Sequence, residues 1–93
     1  MRISEAEKKI IKEAVKKYDT NAEVYLFGSR ADNSKKGGDI DLLVMSKKID
    51  EDDKWKILNH LFNEMGEQKI DLVIAKDTQK PFTRIALSEG VLL

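Results

Sequence analysis

The stretch Phe27–Asp41, FGSRADNSKKGGDID, decides how the rest of this 93-residue chain is read. An apolar run, Val24-Tyr25-Leu26-Phe27, stops on Gly28-Ser29. A polar loop then leads into a second apolar run that opens with Asp39 and Asp41. Both apolar runs, bounded by turn-forming residues, read as strands. Gly28 can take backbone angles closed to other residues, so a ligand can come close to the turn. Side chains two residues apart in a strand share a face. Asp39 and Asp41 are therefore expected to point the same way, beside the Gly28-Ser29 turn. Two carboxylates held that close repel unless a cation or a proton lies between them. Magnesium suits the place, being a hard ion that prefers oxygen ligands and usually keeps phosphate in its shell.

Before this stretch, Ser4 and Glu7 have capping-box spacing. The segment to Tyr18 sets Ile3, Ile10, Ala14 and Tyr18 near one stripe, widened by Ala6, Ile11 and Val15, with lysines behind. That is an amphipathic helix with a solvated basic back. Asp19-Thr20-Asn21 makes a turn, and the first strand follows from about Glu23 to Phe27. The loop from Arg30 to Gly38 carries Lys35, Lys36 and a Gly-Gly pair, and reads either as a mobile surface loop or as a phosphate-facing loop that brings cations near the acidic pair. Arg30 is the best placed of its cations because it abuts the Gly-Ser turn. The second strand runs from Asp39 to about Met45. Asp39, Asp41, Leu43 and Met45 line one face, and Ile40, Leu42 and Val44 the other. Two apolar faces mark a central strand covered, at least partly, on both sides.

Beyond it, Asp50 or Asp52 caps a helix that reaches Met65, with Trp55, Leu58, Phe62 and Met65 at helical spacing. Ile57 and Leu61 broaden this core stripe, and Gly66 stops the helix. His60, the single histidine, falls between Lys56 and Glu64 on the polar side and reads as a surface residue. The third strand is Lys69 to Ala75. Asp71 inside Ile70-Asp71-Leu72-Val73-Ile74 is an exception to strand composition. Lying beside the second strand, it would join Asp39 and Asp41. Pro81 opens a last short helix with Phe82, Ile85 and Ala86 on its apolar side, and Gly90 ends it. The tail Val91-Leu92-Leu93 is apolar enough to enter the core or meet a partner. No repeat or second domain interrupts residues 1–93, which read as one small domain.

Composition narrows the function classes. Absence of cysteine removes disulfides, zinc thiolates and thiol catalysis, and fits a cytoplasmic protein. No run is long and apolar enough for a membrane span, and the N-terminus carries no signal-like run. Lys+Arg and Asp+Glu both number 17, so no bulk field announces direct nucleic-acid binding. There is no P-loop lysine motif, dinucleotide fingerprint or serine-histidine-aspartate set. Three carboxylates beside a Gly-Ser turn describe a two-metal phosphoryl or nucleotidyl transfer site. Asp39, Asp41 and Asp71 would be the catalytic metal ligands, with Asp71 on the acceptor side. Gly28 and Ser29, with Arg30 beside them, would hold the terminal phosphates.

These motifs resemble those of the nucleotidyltransferase superfamily typified by DNA polymerase beta, and in particular its minimal branch. The resemblance is carried by Phe27-Gly28-Ser29-Arg30-Ala31, Asp39-Ile40-Asp41-Leu42-Leu43-Val44, Lys69-Ile70-Asp71-Leu72-Val73, and the ending from Pro81-Phe82 to Glu89-Gly90-Val91-Leu92. It implies an α/β (α+β) nucleotidyltransferase fold, a small mixed sheet with helices mainly on one side, and Mg-ATP at the other. It also implies that Gly28 and Ser29 bind the triphosphate of ATP and that Asp39, Asp41 and Asp71 carry two magnesium ions. Many minimal members are antitoxins paired with a helical HEPN ribonuclease toxin, to whose tyrosine they transfer AMP. Others of the same fold would neutralise a partner by contact alone. Two positions depart from the family pattern: Gly38 stands where a serine is usual, and Asp32-Asn33 where a glycine follows the Arg-Ala pair. Leu43, Met45 and Val73 are expected to stay partly exposed beside the acids, so that a partner protein or a second copy of the chain covers them.

Overall fold

The structure, a computed structural model, describes residues 2–31, 38–66 and 68–93. Asp32, Asn33, Lys35, Lys36 and Gly37, singled out in the sequence, lie outside the described residues. Helix α1 (Glu5–Lys16) opens on the expected capping box. The Ser4 hydroxyl oxygen accepts from the Glu7 N–H at 3.0 Å, and the Glu7 carboxylate accepts from the Ser4 N–H at 2.9 Å. Strand β1 (Glu23–Phe27) ends in a 3-10 turn, Gly28–Ala31. Strand β2 (Ile40–Met45) is followed by helix α2 (Glu51–Met65), which Asp50 caps in a second box with Asp53. Strand β3 (Ile70–Ala75), helix α3 (Pro81–Glu89) and a short strand β4 (Val91–Leu92) complete the chain.

The sheet is mixed, in the order β3-β2-β1-β4. β1 runs antiparallel to β2 and β4, whereas β2 and β3 are parallel. A parallel pair cannot be joined by a hairpin, and α2 supplies the crossover. Helices α1 and α2 cover one face: Ile11, Ala14, Val15, Ile57, Leu58 and Leu61 pack with Val24, Leu26, Ile40, Leu42, Val44 and Leu72. On the other face α3 lays Ala86 over Leu43 and Ala75, with Tyr25, Phe27, Met45, Val73 and Leu87 around them. The helices thus sit mainly on one side, and β2 is central and covered on both faces. No helix among the described residues is long and apolar enough to cross a membrane.

Several sequence expectations shift. β2 begins at Ile40 and β3 at Ile70, so Asp39 and Lys69 stand just before their strands. In α1 the buried stripe is Ile11, Ala14 and Val15, with Ile3, Ile10 and Tyr18 partly buried against it, while Ala6 is exposed. In α2 the buried centre is Ile57, Leu58 and Leu61, whereas Trp55 is 60% and Phe62 41% exposed. At about 100° per residue, those two rings lie roughly a quarter-turn from the centre of the stripe. α3 likewise buries Thr83 and Ala86 and leaves Phe82 and Ile85 outside. Leu43 does not stay exposed near the acids: α3 buries it completely, and Met45 and Val73 are half-buried. The tail enters the fold as β4. The Leu93 N–H donates to the Val24 carbonyl at 2.9 Å, and its side chain is buried, while Leu92 points out. His60 is exposed, as expected.

Candidate active site

The site is built where β1, β2 and β3 present adjacent ends. Asp41 pairs with Phe27 across the antiparallel ladder and with Asp71 across the parallel one. The chain therefore turns at Gly28 directly beside the Asp41 carboxylate. Gly28 has φ +72°, a conformation that favours glycine. A Cβ built there would run into the carboxylate oxygen of Asp41. Glycine is thus required twice at this position, by backbone angle and by the closeness of the acid.

Burial pushes the carboxyl of Asp41 above the usual aspartate range, and the charges of Asp71 and then Asp39 push it further. A hydrogen bond shared with Asp71 acts in the same direction, and only the charge of Lys69 opposes them. Asp41 and Asp71 are thus brought together as in-register neighbours, with Asp71 exposed on the end strand of the sheet. Asp39 lies close enough to add its charge, but its carboxylate meets the Lys69 ammonium at 3.5 Å. The Lys69 side chain is largely in solvent and that of Asp39 about half so, which leaves their attraction weak and easily exchanged.

Among the described residues no group of three His, Cys, Asp or Glu side chains is already closed around one point. The donor set still fits a hard divalent ion. It offers oxygen alone, and the Asp41–Asp71 pair has a repulsion that such a cation relieves. Asp39 would complete the set on leaving Lys69.

The other two candidate residues of the turn, Ser29 and Arg30, have different surroundings. Ser29, half-buried, follows Gly28 in the 3-10 turn, and its carbonyl accepts from Arg2 Nη2 at 3.2 Å. Arg30 commits both terminal nitrogens of its guanidinium to the protein itself, while its buried Nε finds no hydrogen-bond partner among the described residues. Nη1 donates to the Arg2 carbonyl at 3.1 Å; Nη2 donates to the Gly38 carbonyl at 2.9 Å and to Gln68 Oε1 at 3.4 Å.

Residues 8–93 match the family model described as polymerase beta, nucleotidyltransferase. The chain belongs to that family. Among solved structures, it is similar to a chain of a mutant toxin-antitoxin pair, MntA-HpeT, with a TM-score of 0.69 and 24% identity over 94% of this chain and 69% of that one. It is also similar to a chain of the toxin-antitoxin MntA-HepT, with a TM-score of 0.70 and 18% identity over 96% and 70%. A third match is the tri-AMPylated Shewanella oneidensis HEPN toxin in complex with MNT antitoxin, with a TM-score of 0.67 and 23% identity over 92% and 66%. No match was found among curated proteins.

Lys69, Gln68 and Arg2 also belong to this candidate site, although no motif assigns them a role there. Lys69 could have been found: it stands two before Asp71 and so shares its parity. Gln68 and Arg2 could not, since they meet Arg30 across 38 and 28 positions of chain.

Proposed function

We propose that this nucleotidyltransferase moves AMP from ATP, with magnesium, onto a tyrosine of a HEPN-type helical toxin and thereby acts as its antitoxin. The observation that carries the reading is the positive-φ turn at Gly28 laid against Asp41, itself in register with Asp71 on the parallel neighbour. The family supplies the reaction class. The likeness in fold to chains from toxin-antitoxin complexes, one holding an AMPylated toxin, supports the choice of acceptor.

In this reading the Gly28 and Ser29 backbone N–H groups and the Ser29 hydroxyl hold the terminal phosphates and fix the direction of the triphosphate. Asp39, Asp41 and Asp71 would hold magnesium, which when bound would supply charge neutralisation on the phosphates and activation of the acceptor oxygen. Asp71, on the end strand, faces the incoming tyrosine. Its carboxylate takes the phenolic proton as the tyrosine oxygen bonds to the α-phosphorus. The bond from that phosphorus to the bridging oxygen breaks, and pyrophosphate leaves with the electron pair. The protein contributes by alignment and by prearranged charge, not by a covalent step of its own.

The test is to mix the chain with its partner toxin and Mg-ATP and read the toxin's intact mass. The expected result is a gain of whole AMP units that Asp41→Asn abolishes. A stable complex without added AMP would replace transfer by neutralisation through contact. Neither complex nor mass gain would remove the toxin as acceptor.

A further inference from the structure

We infer that Arg30 is a positioning residue that fixes the acidic strands against the phosphate turn and does not itself bind the phosphates. The inference rests on the nucleotidyltransferase reading of the site. Its basis is the set of acceptors that Arg30 joins. The Arg2 carbonyl belongs to the segment leading into α1, the Gly38 carbonyl immediately precedes Asp39, and Gln68 stands just before Lys69 and β3. One planar group therefore grips the entry points of both strands that carry the acids.

The grip is returned from the other side. The Arg2 N–H donates to the Arg30 carbonyl at 2.8 Å, and Arg2 Nη2 donates to the Ser29 carbonyl at 3.2 Å. Gln68 is in turn tied to the helical layer. Its Nε2 donates to the Glu7 carboxylate and to the Met65 carbonyl, both at 3.1 Å. The Glu7 carboxyl lies below its ordinary range, first through the Ser4 backbone N–H, with the side chains of Gln68 and Ser4 and the charge of Arg30 adding to it. The phosphate turn, the start of β2 and the start of β3 are thus referred to one frame, α1 and the end of α2.

Two points of chemistry favour this role. A guanidinium is a rigid fork that serves several directed acceptors at once, which an ammonium on a flexible stem does not. Gly38, for its part, leaves the backbone before Asp39 loosely defined, since glycine restricts its own angles least. The bond from Arg30 to the Gly38 carbonyl supplies the missing restraint at the residue before a metal ligand. Groups that orient ligands in this way govern metal affinity.

The experiment uses the full chain and its Arg30→Lys, Arg30→Ala and Gln68→Leu variants. Manganese binding is followed by electron paramagnetic resonance without nucleotide, and ATP and AMP affinities by calorimetry. Thermal unfolding confirms that each variant is folded. Arg30→Ala and Arg30→Lys should both weaken manganese binding by about tenfold. Gln68→Leu, which leaves the guanidinium in place, should weaken it in the same direction by less. The preference for ATP over AMP should be unchanged in all three. Unchanged or tighter manganese binding in Arg30→Ala, with a lost ATP preference that Arg30→Lys restores, would overturn the inference and make Arg30 a phosphate ligand. If Arg30→Ala does not fold, the other two variants decide by the same criteria. Manganese that fails to bind the wild-type chain would overturn the assignment of Asp39, Asp41 and Asp71 as a metal site and this inference together. Bound manganese indifferent to all three variants would overturn this inference alone.

Discussion

Asp41 bears the strongest opposing demands of any residue in the site. Burial and the charges of Asp71 and Asp39 raise its pKa above 3.8, so the folded chain binds its proton better than the unfolded chain does. Its contribution to folding is therefore fully present below pH 3.8 and is lost as pH rises through the higher folded value. Asp41→Asn removes that loss. The metal-free variant should be more stable than wild type at pH 7, by an amount on the order of a single cross-strand side-chain pair, roughly 0.2–1 kcal/mol. The gain should vanish in melts below pH 3.8, and AMP transfer should be abolished. Gly28→Ala should do the reverse, destabilising the fold and killing transfer. A positive φ costs an alanine about 1–2 kcal/mol, and its Cβ would collide with the Asp41 carboxylate. Gly38→Ser is the contrasting case. Nothing lies within 4 Å of a Cβ there, so urea midpoints should hold. A serine there, as the family resemblance leads one to expect, should tighten ATP binding in calorimetry. The acids and Gly28 were legible because carboxylates in apolar strands and a glycine at a strand's end are chemically conspicuous. The partners of Arg30 were not, because carbonyl acceptors leave no mark in a sequence.

Elements were legible in order and kind, and least so at their rims. The Ser4 and Asp50 caps, Pro81 at the head of α3 and Gly66 at the end of α2 all act as their local chemistry dictates. What no helical spacing could tell was where each neighbour's surface ends. Trp55, Phe62, Phe82 and Ile85 are apolar residues at helical spacing that fall outside the contact. Also hidden was the tie between the end of α1 and the end of β2. There the buried Ser46 hydroxyl donates to Asp19 at 2.6 Å and accepts from the Lys48 and Ile49 N–H groups at 3.1 and 3.0 Å. That bond, and then the Asn21 N–H, hold the Asp19 carboxyl below 3.8. A lowered carboxylate pKa adds stability above pH 3.8 that is lost as pH falls through the folded value, opposite in sign to Asp41. Ser46→Ala should cost about 1–3 kcal/mol in urea titration, because it leaves buried polar groups without a partner. It should also flatten the acid limb of the stability profile. Its rate of AMP transfer should match wild type, since Ser46 lies five residues, about 16 Å, along the strand from Asp41.

At the scale of the whole molecule, a 93-residue chain buries a limited core, and its apolar stripes overflow onto the surface. The exposed large side chains fall into groups: Trp55 and Phe62 on α2, Phe82 and Ile85 on α3, and Leu92 on β4. Trp55 and Phe62 line one open groove along β3, and Asp71 lies on the same groove. Asp71 shares the sheet face of Val73 and Ala75, opposite α2, so a toxin presenting its tyrosine to Asp71 would meet Trp55 by wrapping the edge of β3 along this groove. This separates recognition from chemistry. On the proposed function, contact with the partner would draw on side chains along the groove, whereas transfer would depend on the carboxylates and the Gly28 turn. Asp41→Asn should bind the toxin as tightly as wild type and add no AMP to it. Trp55→Ala should still bind Mg-ATP normally, yet weaken the complex by at least about tenfold if the ring is a central anchor of the interface. Trp55 is also the only tryptophan of the chain, so its emission is a direct reporter. At 60% exposure it should shift to the blue when a tryptophan-free variant of the toxin covers it, and by the same amount with Asp41→Asn. A complex that forms with no change in that emission, and that Trp55→Ala leaves intact, would put the partner on the α3 face beside Phe82 and Ile85.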